Sequence, residues 1–213
     1  MEIAVFAYPD MTALDAMGPY EVLSRLPDAR LRFVAAQKGP ITTDTGMLTF
    51  QAEAGIDEVA GADVLVVPGG PGAAVRAVIE QPRVLDWVAK IHEGSRYTCS
   101  VCTGSWILGA AGVLKGKRAG SHWLGLEGLR EFGATPCPER VVVDGKIWTA
   151  GGVTSGIDMA LAFVAEVVND DFAQLLQLAL QYDPKPPFRG GTPETAPEHI
   201  LALARANAAA LLG

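Results

Sequence analysis

Cys102 is the residue in this chain best suited to chemistry. It falls between residues 97–101, Tyr-Thr-Cys-Ser-Val, which read as a short buried strand, and residues 105–114, which read as a small-residue helix. The spacing Ser100-x-Cys102-x-Gly104 is that of a nucleophile elbow, where a sharp strand-to-helix turn lifts one side chain and leaves room only for small neighbours. Unpaired N–H groups and the positive dipole end of the following helix favour thiolate over thiol. A cysteine can also simply fill a core, but the elbow spacing favours a catalytic or redox role. Cys99 and Cys102 form a C-x-x-C, yet Cys99 lies inside the strand and points to the opposite face, which argues against a dithiol redox pair. Cys137 and three scattered histidines supply no second ligand pair for zinc.

Asp15 is the second candidate. It follows the apolar run of residues 3–7 and sits at or near the start of a helix within residues 11–26, one that begins late enough for Pro19 to be tolerable in its first turn. An aspartate there suits an N-cap and a proton-handling group alike, and the sequence leaves both open. Gly69 and Gly70 belong to Pro-Gly-Gly-Pro-Gly, residues 68–72, at the end of another buried strand. They are candidates for backbone oxyanion donors beside the elbow, or for a tight turn that needs positive φ. No P-loop lysine and no G-x-G-x-x-G after a strand is present, so nucleotide binding is not expected.

The elements that must hold these residues alternate. Strands are expected at residues 3–7, 31–37, 63–67 and 97–101, and hairpins at 42–53 (at a sheet edge) and 141–150. Helices are expected over residues 73–92 with a break at Gln81-Pro82, over 124–132, and over 157–168. Such alternation predicts an α/β fold with a mostly parallel sheet covered on both faces, whose sites form beyond the carboxyl ends of the strands. Asp15, Gly69, Gly70, Cys102 and the Gly151-Gly152-Val153 stretch all follow such ends. From residue 171 to 213 a helix, a proline-rich piece and an alanine-rich helix over 197–212 read as an extension that packs on a second subunit.

Composition narrows the function. The 213 residues are 49% hydrophobic, enough for one domain with a full core, and the net charge of −7 opposes nucleic acid. No signal segment, no membrane-spanning run and an odd number of cysteines predict a reducing, cytoplasmic home.

Residues 67–72, 99–105, 119–123 and 151–158 together resemble the ThiJ/PfpI superfamily, over roughly residues 2–170. The resemblance implies a flavodoxin-like α/β sandwich, a homodimer and no metal or organic cofactor, with Cys102 as nucleophile and Asp15 as the nearby acid. Thr103 follows the nucleophile, where protease-like relatives often carry histidine, which counts against a Cys-His-Glu triad. His122, twenty residues past Cys102, suits a histidine tied to backbone. Cys-Thr-Gly-Ser (102–105), Asp15 and the tail at 181–188 are similar to the isocyanide hydratases of that superfamily. The reaction this implies is hydration of a small apolar isocyanide to a formamide. Cys102 would form a thioimidate, Asp15 would shuttle protons, the Thr103 hydroxyl would orient Asp15 or substrate, and the N–H groups of Gly70 and Thr103 would steady charge. Tyr20, Trp123 and Val153 would wall a pocket without a fixed cation. The alternatives are a cofactor-free glyoxalase acting on methylglyoxal and a non-catalytic cysteine sensor, such as the ligand-binding half of AraC-type regulators; the helix-turn-helix domain of the latter is not found in these residues.

Overall fold

The apolar runs become strands of one seven-stranded sheet in the computed structural model, which describes residues 1–208. In chain order the elements are β1 (Glu2–Phe6), α1 (Ala13–Leu23), β2 (Arg30–Ala35), β3 (Gly39–Thr42), β4 (Thr49–Ala52), β5 (Ala54–Gly55), β6 (Val64–Val67), α2 (Gly72–Ile79), α3 (Pro82–Gly94) and β7 (Tyr97–Val101). They continue with α4 (Gly104–Ala110), β8 (Arg118–Ala119), β9 (Thr135–Pro136), β10 (Val141–Asp144), β11 (Ile147–Ala150), α5 (Ser155–Val167), α6 (Asp170–Ala179) and α7 (Glu198–Ala206). The sheet order is β10-β11-β7-β6-β1-β2-β5, parallel throughout except for the β10–β11 hairpin at one edge. This is the mostly parallel, helix-covered sheet of a flavodoxin-like fold.

All four residues of β6 are buried, as expected of a central parallel strand covered on both faces. α1, α5 and α6 pack together, and α2, α3 and α4 form a second group. The chain runs outward from β1 to β2 and returns on the other side as β6, so the strand order reverses between β1 and β6. That reversal opens a crevice beyond the carboxyl ends of β1, β6 and β7.

Several elements differ from expectation. Pro19 lies inside α1 rather than in its first turn, and removes the donor that would serve the Asp15 carbonyl. The position is tolerated at a close helix crossing: a Cβ on Gly156 of α5 would come 3.1 Å from Pro19 Cδ. The β3–β4 hairpin forms its own two-stranded ribbon, because β5 takes the sheet edge beside β2. α4 stops at Ala110, well short of residue 114. Gly112 adopts φ 80°, its N–H donates to Gly109 O at 2.9 Å, and Val113 N–H donates to Leu108 O at 3.0 Å, a Schellman closure. The helix expected over 124–132 is a 3₁₀ segment, Glu127–Phe132, ended by Gly133 at φ 71°. α7 ends at Ala206, and residues 209–212 of the expected helix lie outside the described residues. Among the described residues no helix is long and apolar enough to cross a membrane.

Candidate active site

Cys102 occupies the turn between β7 and α4 with φ 57°, a left-handed conformation that costs a non-glycine residue about 1–2 kcal/mol. The surroundings hold it there. Its N–H donates to Ala150 O at 3.1 Å, and the hydroxyls of Ser105 and Ser121 both donate to its carbonyl at 3.2 Å. Glycines let the loop after β6 press against this turn: a Cβ on Gly104 would collide with Val67 O, and one on Gly69 would lie 2.6 Å from Thr103 N. Neither Gly69 nor Gly70 has positive φ, so close approach, not left-handed backbone, is what requires them.

Asp15 is fully buried and is the third residue of α1, not its cap, a position held by Thr12. Its Oδ2 accepts from Gly69 N at 3.0 Å, while Oδ1 has no hydrogen-bond partner among the described residues. Burial pushes the Asp15 carboxyl up to about 7, against the lowering effects of the Gly69 N–H and the neighbouring Cys102 thiol. Sulfur and carboxyl influence each other although Oδ1 makes no full hydrogen bond.

The preformed thiolate expected from the sequence is corrected. Burial first, and then the Asp15 charge, push the Cys102 thiol well above its ordinary value, outweighing the N–H and hydroxyl of Thr103 that favour the anion. At 5% exposure the sulfur is too desolvated for a seven-residue helix to offset that cost. The ionisation of the sulfur and that of the carboxyl therefore act on each other.

The oxyanion arrangement is corrected too. The Gly69 N–H is engaged by Asp15, and the Gly70 N–H donates to Thr103 Oγ1 at 3.0 Å. The Thr103 hydroxyl donates back to Gly70 O at 2.8 Å, so it joins the two loops instead of reaching Asp15. The Thr103 N–H is left as the backbone donor acting on the sulfur.

Above Cys102 and Thr103 opens a cavity of about 320 Å³, walled by Val75, Trp106, Leu124 and Val153. Val153 is where the sequence put it. Tyr20 is not: five residues beyond Asp15 it points about 140° around α1 and packs on Phe33, ring centroids 5.7 Å apart. Trp123 lines a neighbouring groove with Arg140 and Glu194, and its ring sits 5.8 Å from that of His122. Nor is the cavity free of cations, since the exposed Arg76 lines it.

Residues 1–166 match the model of the DJ-1/PfpI family. The chain belongs to that family. It is 43% identical over 209 residues to an isonitrile hydratase of Pseudomonas putida, covering 98% of this chain and 90% of that one. A ThiJ/PfpI family protein from Pseudomonas syringae has the same fold at a TM-score of 0.93 and 39% identity, over 97% of this chain and 86% of that one. A helix-turn-helix-type transcriptional regulator of Pseudomonas aeruginosa is 28% identical over 160 residues, 73% of this chain but 46% of its own length.

Within this DJ-1/PfpI site, three residues escaped the sequence reading. Trp106 stands one helical turn after Cys102, a spacing that could have placed it over the sulfur; its Nε1 donates to Gly125 O at 2.9 Å. Arg76 stands one turn after Gly72 on α2, and that interval was equally legible. Buried Tyr8 donates to Pro68 O at 3.1 Å and braces the glycine turn; no sequence signal separates it from an ordinary turn residue. His122 also lines the cavity. Its Nδ1 accepts from Leu124 N at 3.4 Å, which leaves the proton of the neutral ring on Nε2, and burial lowers its pKa. Among the described residues no three His, Cys, Asp or Glu side chains cluster as metal ligands would.

Proposed function

We propose that this DJ-1/PfpI protein is an enzyme that hydrates an isocyanide, R–N≡C, to the N-formamide, R–NH–CHO. Cys102 is the nucleophile of the elbow, Asp15 the proton shuttle, and Thr103 the residue that steadies the sulfur through its N–H and the glycine turn through its hydroxyl. The observation that carries this reading is the unpartnered Oδ1 of a fully buried Asp15, titrating near 7 beside the thiol. A carboxyl poised near neutrality both gives and takes a proton, which the reaction requires twice. The isonitrile hydratase relative supports the substrate class.

In the first step the sulfur bonds to the terminal carbon while the proton shared with Asp15 moves to that carbon. The product is a thioimidate, R–N=CH–S–Cys102, formed without net charge change. Asp15, now a carboxylate, takes a proton from water as the oxygen adds to the thioimidate carbon, and returns it to nitrogen. The carbon–sulfur bond then breaks, the hydroxyl proton passes through Asp15 to the sulfur, and the formamide leaves. The walls of Val75, Trp106, Leu124 and Val153 suit the apolar part of the substrate.

Two further readings belong here. The exposed Leu175, Leu178, Phe188, Ile200 and Leu203 support a homodimer in which the extension after α5 packs on a second copy. Three free cysteines support a reducing, cytoplasmic home.

The test follows formamide formation from an aryl isocyanide by ultraviolet absorbance, beside lactate formation from methylglyoxal. Formamide that disappears in Cys102→Ser supports reaction and nucleophile together. Lactate without formamide sinks the hydratase reading in favour of a glyoxalase, and turnover retained in Cys102→Ser sinks the nucleophile.

A further inference from the structure

We propose that the isocyanide carries a carboxylate, and that Arg76 binds this group while the terminal carbon meets Cys102. The inference rests on the hydration reading above and specifies its substrate class: an isocyano carboxylate, hydrated to an N-formylamino carboxylate.

Among the described residues Arg76 is the one charged side chain lining the cavity above Cys102. The protein does not neutralise it. Arg25, Arg32, Arg83, Arg118, Arg130 and Arg140 each hold a carboxylate; Arg76, like Arg30, Arg96, Arg189 and Arg205, forms no ion pair among the described residues, and of these five it alone lines the cavity above Cys102. An unpaired guanidinium facing a cavity is available to a ligand. Its planar fork matches a carboxylate through two parallel hydrogen bonds.

The cavity also carries a polarity. Arg76 supplies positive charge, while the Cys102–Asp15 pair carries negative charge whenever its shared proton is the only one left. An anionic substituent is repelled from the pair and drawn to Arg76, which leaves the isocyanide end directed at the sulfur. Between the two lie the apolar surfaces of Val75, Trp106, Leu124 and Val153, suited to an aromatic or aliphatic spacer. A cavity of about 320 Å³ is at the small end for ligand sites, which fits a compact spacer with one charged tip.

The experiment compares 4-isocyanobenzoate with 4-methylphenyl isocyanide, which share the isocyanophenyl ring and differ in charge, on the full-length enzyme and its Arg76→Gln and Arg76→Lys variants. The readout is the ratio of kcat/KM between the two substrates. Arg76→Gln is expected to lower that ratio about tenfold, mostly through KM, as befits a partly exposed charge-assisted hydrogen bond, with Arg76→Lys in between. In the wild type, raising salt from about 0.05 to about 1 M should shrink the same ratio, a readout that needs no variant. A ratio indifferent to both Arg76→Gln and salt, with the methyl compound still hydrated, overturns the carboxylate inference alone. Hydration of neither compound overturns the hydratase reading and this inference with it.

Discussion

Replacing Asp15 with asparagine should make the protein more stable, and more so as pH rises. A carboxyl that titrates at about 7 in the fold and at 3.8 when unperturbed binds its proton more tightly in the native state. Below about pH 4 both states are protonated and the group is neutral to stability. As pH climbs from there towards 7 the unfolded chain gains by ionising while the native carboxyl stays protonated, and above 7 the native state holds a buried anion. A difference of about three pH units, at about 1.4 kcal/mol each, amounts to about 4 kcal/mol of stability lost by the wild type between pH 4 and 8. Burial of Asp15 is complete, so solvent screening does not reduce this figure. The amide introduced by Asp15→Asn could keep the hydrogen bond from Gly69 while carrying no charge at any pH. Urea unfolding of both proteins at several pH values between 5 and 8 should therefore show a widening gap in favour of Asp15→Asn, reaching a few kcal/mol at pH 8. The same variant should lose about 10²-fold or more in formamide formation, since it cannot shuttle protons. A gap that stays constant across this range would refute the argument that the fold strains an acid at this position.

Further expectations address the surroundings of the pair. Gly69→Ala puts a methyl 2.6 Å from Thr103 N, backbone that cannot easily yield, and should cost about 1–3 kcal/mol in chemical denaturation together with most of the turnover. His122→Asn preserves a side-chain acceptor for the Leu124 N–H and should change kcat by less than about tenfold, whereas loss of a general base would cost about 10²–10⁴-fold. Cys102→Ser should abolish formamide formation while thermal unfolding stays close to the wild type, because the side chain's size hardly changes.

How much of this was legible depends on the range of the interaction. Local signals served well: the strand Tyr97–Val101, the break between α2 and α3 before Pro82, and the turn that presents Cys102 all follow from neighbours a few residues apart. Asp15 could be selected but not assigned a role, because what distinguishes it from a cap is an N–H donated from 54 residues away. The donor pattern failed for the same reason. Gly69 and Gly70 look like free backbone donors until their partners arrive from α1 and the β7–α4 turn. Tyr20 was misplaced by ignoring helical rotation from Asp15, and the thiolate by weighing a helix dipole without the depth of burial.

The hydroxyl of Thr103, bonded to Gly70 in both directions across 33 residues, and Asp15, bonded across 54, mean that these bonds close long loops. Such contacts form late, after β1, β6 and β7 have found one another, because loop closure must be met before they repay it. A chain emerging during synthesis therefore passes through stages in which its cysteine is an ordinary, solvated thiol. The coupling of sulfur to carboxyl arrives only with the completed sheet, so the proton affinity of Cys102 rises as the molecule finishes folding.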